Sequence, residues 1–444
     1  MLKRIVSTAA VLALYLGAPV GHELGLGGVA AQAQEQEQRQ ETRRIPSMSE
    51  ATYRKLTEAQ EAMDEKDMEK AKRVLNEMLA NSRRLNGNEI GQVHNMLGFL
   101  HFSEENYSAA IESYKQVIAQ GEEIPEGLEV STLYTLAQLS FVNEEYQASL
   151  DYMERWIQKA SNPGADPHIF MGQVYYQMQN YPAAIQQIEL GISIARERNM
   201  EIKEQWWALL NFLYFEQENW PKVLEILEIL VRDFPKREYW IRLAGIHGQE
   251  GNDRESLWSY EAADAGGFLD QQGDFTNYSG LLMQAEVPWR AARVLEAAIE
   301  RGQVEKTDTT LQSLGQAWQL AQEVEKAIPV FLEAARLSDE GRIYERLANL
   351  YLDNDQFGEC VAAADNALQK GGLRQEASMY IVRGMCEFNR DRLSAARESF
   401  VACRNESRRA DDESNRRMCQ QWITYIDNET NRREALQRQA QANL

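Results

Sequence analysis

The sequence predicts an all-α fold: a right-handed solenoid of about ten stacked helix-turn-helix hairpins, closed by a C-terminal capping helix. Three features predict it. Compact side chains recur at near-regular intervals, at Gly98, Ala137, Gly172, Asn211, Ala244, Ser279, Gly315, Ala348 and Gly384. Twelve positions after each stands Ala110, Ser149, Ala184, Val223, Ser256, Ala291, Ala327, Cys360 or Ala396. Four further on comes Tyr114, Met153, Ile188, Leu227, Tyr260, Leu295, Phe331, Ala364 or Phe400. A weaker first copy holds Ala59, Ala71 and Leu75.

Within one repeat, Leu311, Leu314, Gly315 and Trp318 fall at i, i+3, i+4 and i+7, one face of a helix. After a polar turn, Ala327, Phe331 and Ala334 mark one face of a second. Two small residues let the paired helices approach, and the large one fills the gap to the next helix. The intervals lie close to the tetratricopeptide period of about 34 residues. Asn211 and Val223 break the small-residue rule, so the fifth pair should be splayed or repacked. Tyr107, Tyr146, Tyr181, Trp220, Trp289 and Phe357 stand just before second helices, where they should plug helix ends.

Residues 1–33 read as a cleavable export signal: Lys3 and Arg4, an apolar run from Ile5 to Val20, then the small-residue site Ala31-Gln32-Ala33. Residues 34–49 read as a polar linker, 50–406 as one continuous solenoid, and 407–444 as a capping helix and tail. In that tail Met418, Trp422, Ile423, Tyr425 and Ile426 form one apolar side. No later segment is apolar enough to span a membrane once the signal is removed. The chain therefore reads as an exported protein.

The net charge is −21, and removal of Lys3, Arg4 and Glu23 (net +1) leaves −22. Such a surface repels phosphate backbones and anionic headgroups, which argues against nucleic-acid or peripheral membrane binding. Chemistry is absent from the pattern: there is no H-E-x-x-H, G-x-S-x-G, phosphate-cradling glycine loop or C-x-x-C. His94 and His101 lie seven apart on one helix and read as packing residues rather than metal ligands. No enzyme activity, cofactor or metal is expected.

Cys360, Cys386, Cys403 and Cys419 all fall near the C-terminal end of an exported chain, where oxidation is permitted. In an antiparallel pair, residues equidistant from the loop centre sit at equal height. Cys403 and Cys419 are centred on residue 411, and Cys360 and Cys386 on residue 373. Cys386 and Cys403 would stand about 13 Å apart in height. Two staples, 403–419 and 360–386, are the expectation, each worth about 3 kcal/mol; the rival reading is four reduced core thiols.

First helices of such repeats line the binding groove. There the sequence places Phe99, Phe102, Tyr134, Phe141, Phe170, Tyr176, Phe212 and Phe215, followed by Asn277, Gln284, Gln312, Gln316, Gln319 and Asn349. Rings offer apolar anchor sites and amides pair with backbone, which suits an extended or helical peptide. The competing role for these rings is packing between neighbouring helices. Arg342 and Arg346 are the only basic pair facing that way, so capture of an acidic carboxyl terminus is disfavoured.

Several stretches resemble one family: EGLEVSTLYTLAQL (126–139), REYWIRLAGIHGQEGN (237–252), EKAIPVFLEAARLSDEGRIYERLANLYLDNDQF (325–357) and ALQKGGL (367–373). They resemble the periplasmic tetratricopeptide proteins associated with TonB, ExbB and ExbD energy-transduction genes in Gram-negative aquatic bacteria. The resemblance implies an accessory scaffold in TonB-dependent uptake, with TonB/ExbB/ExbD-type components as protein partners and no catalytic residues. The alternative is a structural factor that assembles outer-membrane or envelope polysaccharide machinery.

Overall fold

A computed structural model describes residues 43–442; the expected export signal and the first part of the expected linker lie outside them. Among the described residues there are 21 α-helices, two short 3-10 turns and no strand. The chain forms two compact units that divide between Ala160 and Ser161.

The first unit holds three hairpins: α1 (Glu50–Asp64) with α2 (Met68–Ala80), α3 (Gly87–Ser103) with α4 (Tyr107–Ile118), and α5 (Glu126–Val142) with α6 (Tyr146–Lys159). Its linker end is pinned. The Ser49 amide donates to Glu89 at 2.8 Å, the Asn88 side chain donates to the Pro46 carbonyl at 3.1 Å, and Arg43 pairs with Glu129 at 2.7 Å.

The second unit holds seven hairpins and a cap. The hairpins are α7 (Asp166–Gln177) with α8 (Tyr181–Glu197), α9 (Glu204–Glu216) with α10 (Trp220–Asp233), α11 (Arg237–Gln249) with α12 (Asp253–Ala265), and α13 (Gln272–Gln284) with α14 (Pro288–Glu300). There follow α15 (Asp308–Leu320) with α16 (Val324–Leu337), α17 (Arg342–Asp353) with α18 (Phe357–Lys370), and α19 (Glu376–Asn389) with α20 (Leu393–Arg409). Helix α21 (Glu413–Ala442) is the cap. The tenth pair thus runs slightly past the position at which the sequence places the cap.

Every hairpin turns in the same way. The first helix ends on a left-handed residue, such as Glu105, Glu144, Glu218 or Gly251. The next amide then reaches back into the helix: Asn106 N–H donates to the His101 carbonyl at 2.9 Å and Asn219 N–H to that of Tyr214 at 3.0 Å. These bonds satisfy carbonyls that a helix end would otherwise orphan. Asn106 and Asn219 then cap the second helix, accepting from the amides of Ala109 and Lys222.

The packing rule is visible atom by atom. A Cβ on Gly98 would lie 2.7 Å from the Tyr114 ring, and one on Gly315 would lie 2.8 Å from the ring of Phe331. The fifth pair is repacked: buried Asn211 donates its side-chain amide to the Val223 carbonyl at 2.9 Å. A polar side chain replaces the missing close contact with a hydrogen bond. Buried Ser149 and Ser279 likewise donate to the carbonyls of Ala137 and Ala291, at 2.7 and 3.2 Å.

The cap covers the last core. Cys419, Ile423 and Ile426 are buried, and Trp422 stacks on Phe400 with centroids 5.1 Å apart. Tyr425, though exposed at its edge, packs on Phe388 at 5.7 Å and on Trp422 at 5.8 Å, whereas Met418 is exposed.

Candidate partner-binding face

In four consecutive hairpins the last turn of the first helix carries a ring that meets the first ring of the second helix, five residues on. The pairs are Phe102–Tyr107 at 6.1 Å and Phe141–Tyr146 at 5.9 Å in the first unit, and Tyr176–Tyr181 at 6.2 Å and Phe215–Trp220 at 5.4 Å in the second. All lie in the favourable range for aromatic pairs. Tyr107, Tyr146, Tyr181 and Trp220 are therefore ring partners of the first helix, whereas Trp289, expected to plug a helix end, is exposed. Tyr134 packs on Trp156 at 5.3 Å, and Phe212 meets Tyr176 edge-on at 5.7 Å.

Exposure sorts the sequence-derived set. Phe99 and Phe215 are exposed, whereas Phe102, Tyr134, Phe141, Tyr176 and Phe212 are half-buried. Phe170 is a correction: at 3% exposure it belongs to the interior of its repeat, not to an open face. Its position on α7 turns it inward, beside buried Ile169 and Met171.

The amides divide in the same way. Asn349 bonds the Glu345 carbonyl of its own helix at 2.8 Å, and Asn277 approaches the Tyr260 hydroxyl at 3.5 Å. Gln284 donates to Asp253 at 3.1 Å, and Gln319 accepts from Arg346 at 3.0 Å. Gln316 is exposed and Gln312 half-buried. Arg346 also lies over the Phe331 ring at 5.1 Å, and burial pulls its guanidinium below the usual range. Arg342 pairs with Glu340 at 3.0 Å. Neither arginine stands free on the face.

His94 is half-buried, and burial pushes its imidazole down, favouring the neutral form. Among the described residues no group of three or more His, Cys, Asp or Glu could hold a metal ion, and no helix is long and apolar enough to cross a membrane.

Disulfides join Cys360 to Cys386 and Cys403 to Cys419, each with Cα atoms 6.2 Å apart. The first ties α18 to α19, the second α20 to α21, so the cap is covalently held to the last hairpin.

Residues 59–186 match the RNPP family C-terminal domain. No curated protein matches the chain. Among solved structures it is similar to the Naa15/Naa10 assembly bound to HypK-THB, with 12% identity, a TM-score of 0.41, and coverage of 80% of this chain but only 64% of that one. It is similar also to the TPR2AB domain of yeast Sti1 in complex with pHSP90, with 12% identity, 68% and 99% coverage and a TM-score of 0.30. A tetratricopeptide repeat protein from Parabacteroides merdae matches at 12% identity, with 59% and 98% coverage and a TM-score of 0.28. With ten helix hairpins in series, and a small residue set against a large one where their helices touch, this chain has the tetratricopeptide-repeat fold.

Proposed function

We propose that the protein is a periplasmic scaffold that docks a peptide segment of a partner on its first-helix faces, as an accessory of TonB-dependent uptake. The observation that carries the docking reading is ring exposure within each unit: Phe99 in the first and Phe215 in the second remain about two-fifths exposed on helices whose other large apolar side chains are mostly covered. Large exposed rings held on rigid helices are typical binding anchors. The reading of residues 1–33 as an export signal supports the location, and the four stretches resembling TonB-associated proteins support the pathway.

The test is in-cell crosslinking of the full chain, followed by mass spectrometry, in parallel with growth of a deletion strain under iron starvation. Crosslinks to energy-transduction or receptor proteins together with impaired uptake are the expected result. Normal uptake with a defective envelope would replace the reading by the assembly role. Recovery of the chain only in the cytoplasmic fraction would overturn the location.

A further inference from the structure

A cleft of about 320 Å³ lies in the second unit, where α8 ends, α9 begins and α10 ends. After α8, Asn199 takes a left-handed conformation and the Met200 amide donates to the Ala195 carbonyl at 2.8 Å. The connection to α9 then brings Ile202 to the cleft wall. At the end of α10 the Phe234 amide donates to the Leu230 carbonyl at 2.9 Å, and Ile229 and Phe234 line the same cleft. Buried Trp207 of α9 and half-buried Ile202, Ile229 and Phe234 give it an apolar floor. Sites for small molecules run from about 300 to 1,000 Å³, so this one takes a compact ligand rather than a length of polypeptide.

The rim is charged, and its balance is positive. Arg196, Arg232 and Asp233 are exposed, and they are the charged residues of the lining. Asp233 accepts from Arg232 through Nε at 2.7 Å and Nη2 at 2.9 Å, so these two charges offset each other. Arg196 makes no ion pair or hydrogen bond among the described residues; its guanidinium lies over Trp207, 6.0 Å from the ring centroid. A ring face attracts a cation without neutralising it. One unmatched guanidinium beside an apolar floor, in a chain of net charge −21, suits a singly charged anion that carries an apolar group. A carboxylate meets the guanidinium fork through two parallel hydrogen bonds. The second charge of a phosphate would instead face Asp233 unbalanced.

We infer that this cleft binds a small carboxylic acid bearing an apolar ring or chain, with its carboxylate on Arg196 and its apolar part against Trp207, Ile229 and Phe234. Trp207 lies eight residues before Phe215, about 12 Å along α9. The site is therefore separate from the ring proposed for docking, and it stands or falls independently of that reading.

The test is isothermal titration calorimetry of the full chain with 3-phenylpropionate, with its uncharged analogue 3-phenylpropanol, and with an acetylated tripeptide of two alanines and a terminal phenylalanine. The acid should bind about tenfold more tightly than the alcohol, and more tightly than the peptide. Arg196→Gln, at an exposed side chain, should weaken the acid about tenfold and leave the alcohol unchanged. Arg198→Gln, at an exposed arginine outside the lining, should change neither. Ile229→Trp, which fills the cleft, should abolish binding of both, with circular dichroism checking that helix content is retained. Equal affinity for acid and alcohol would overturn the inference, as would an Arg196→Gln chain that binds the acid like the parent. The absence of binding by all three ligands at millimolar concentration would do the same. Tighter binding of the peptide than of the free acid would overturn the choice of a small molecule in favour of a polypeptide terminus.

Discussion

Two glycine-to-alanine changes should move stability in opposite directions, because they test the one packing rule on which the fold depends. Gly280 sits inside α13 with nothing within 4 Å of where a Cβ would stand. Alanine there should gain about 0.5–1 kcal/mol of helix stability. Gly315 sits inside α15 facing Phe331, whose Cδ1 and Cε1 would lie 2.8 Å from the new Cβ. Carbon atoms pack at about 3.5–4.0 Å, and Phe331 is fully buried, so the ring or the helix must yield. Overfilling costs about 1–3 kcal/mol; set against the propensity gain, Gly315→Ala should lose about 1 kcal/mol. Repeat arrays open locally, so the assay is native-state hydrogen exchange read by peptide. Exchange in α15 and α16 should speed up about fivefold for Gly315→Ala, and exchange in α13 should slow about threefold for Gly280→Ala. Adding Phe331→Leu to Gly315→Ala should recover part of the loss, because it removes ring atoms from the contact. If both alanines stabilise, or both destabilise, the interlock of small and large side chains is not what holds the hairpins together.

Reducing both disulfides should lower the melting temperature of the C-terminal hairpins and leave α1–α6 unaffected, since each bridge contributes about 3 kcal/mol; alkylation with and without reductant, followed by hydrogen exchange, measures it. Asp274, buried at 3% exposure, accepts from Arg237 Nε at 2.7 Å and Nη2 at 2.5 Å. Burial raises its carboxyl, but Arg237 and the amides of Gln271 and Asp270 outweigh this and hold it below its ordinary 3.8. A carboxyl depressed by folding stabilises above the unfolded value near 3.8, and that stability is lost as pH falls through the lower folded value. Asp274→Asn should therefore cost about 2 kcal/mol at neutral pH and flatten the acid limb of a melting profile. Trp422→Ala should cost about 3 kcal/mol and loosen the amides of α19 and α20 over which the cap lies, again by hydrogen exchange.

Most of the fold was legible because the rule behind it is local. A glycine at one position and a bulky side chain sixteen positions later, across the turn, leave a mark, and Gly315 with Phe331 shows the contact the mark stands for. Asn211 shows the limit of such reading. By size it predicts a pair that is splayed or repacked without saying which, and its amide reaches the Val223 carbonyl, replacing a van der Waals approach with a hydrogen bond. Size patterns carry no information about which polar atom lies opposite. The pinned end of the linker was hidden for a similar reason. Arg43 and Glu129 are 86 residues apart, and no periodicity links them.

The binding face was legible only in part, because helical period says which side a residue lies on but not what it meets across a turn. Phe102, Phe141, Tyr176 and Phe215 lie on the expected side, yet each leans on the ring five residues later. That spacing spans a left-handed residue, at Glu105, Glu144, Gln179 and Glu218, so helix periodicity cannot reveal it. The pairing does not remove these rings from function. A ring clamped by a second ring has few rotamers left to lose, so a partner that stacks on its open side encounters a surface already in its bound form. In these four hairpins the turn that closes the hairpin thus also stiffens the ring proposed to bind. Loss of the second ring, as in Tyr181→Ala, should consequently weaken binding at Tyr176 through mobility even where it leaves the hairpin folded.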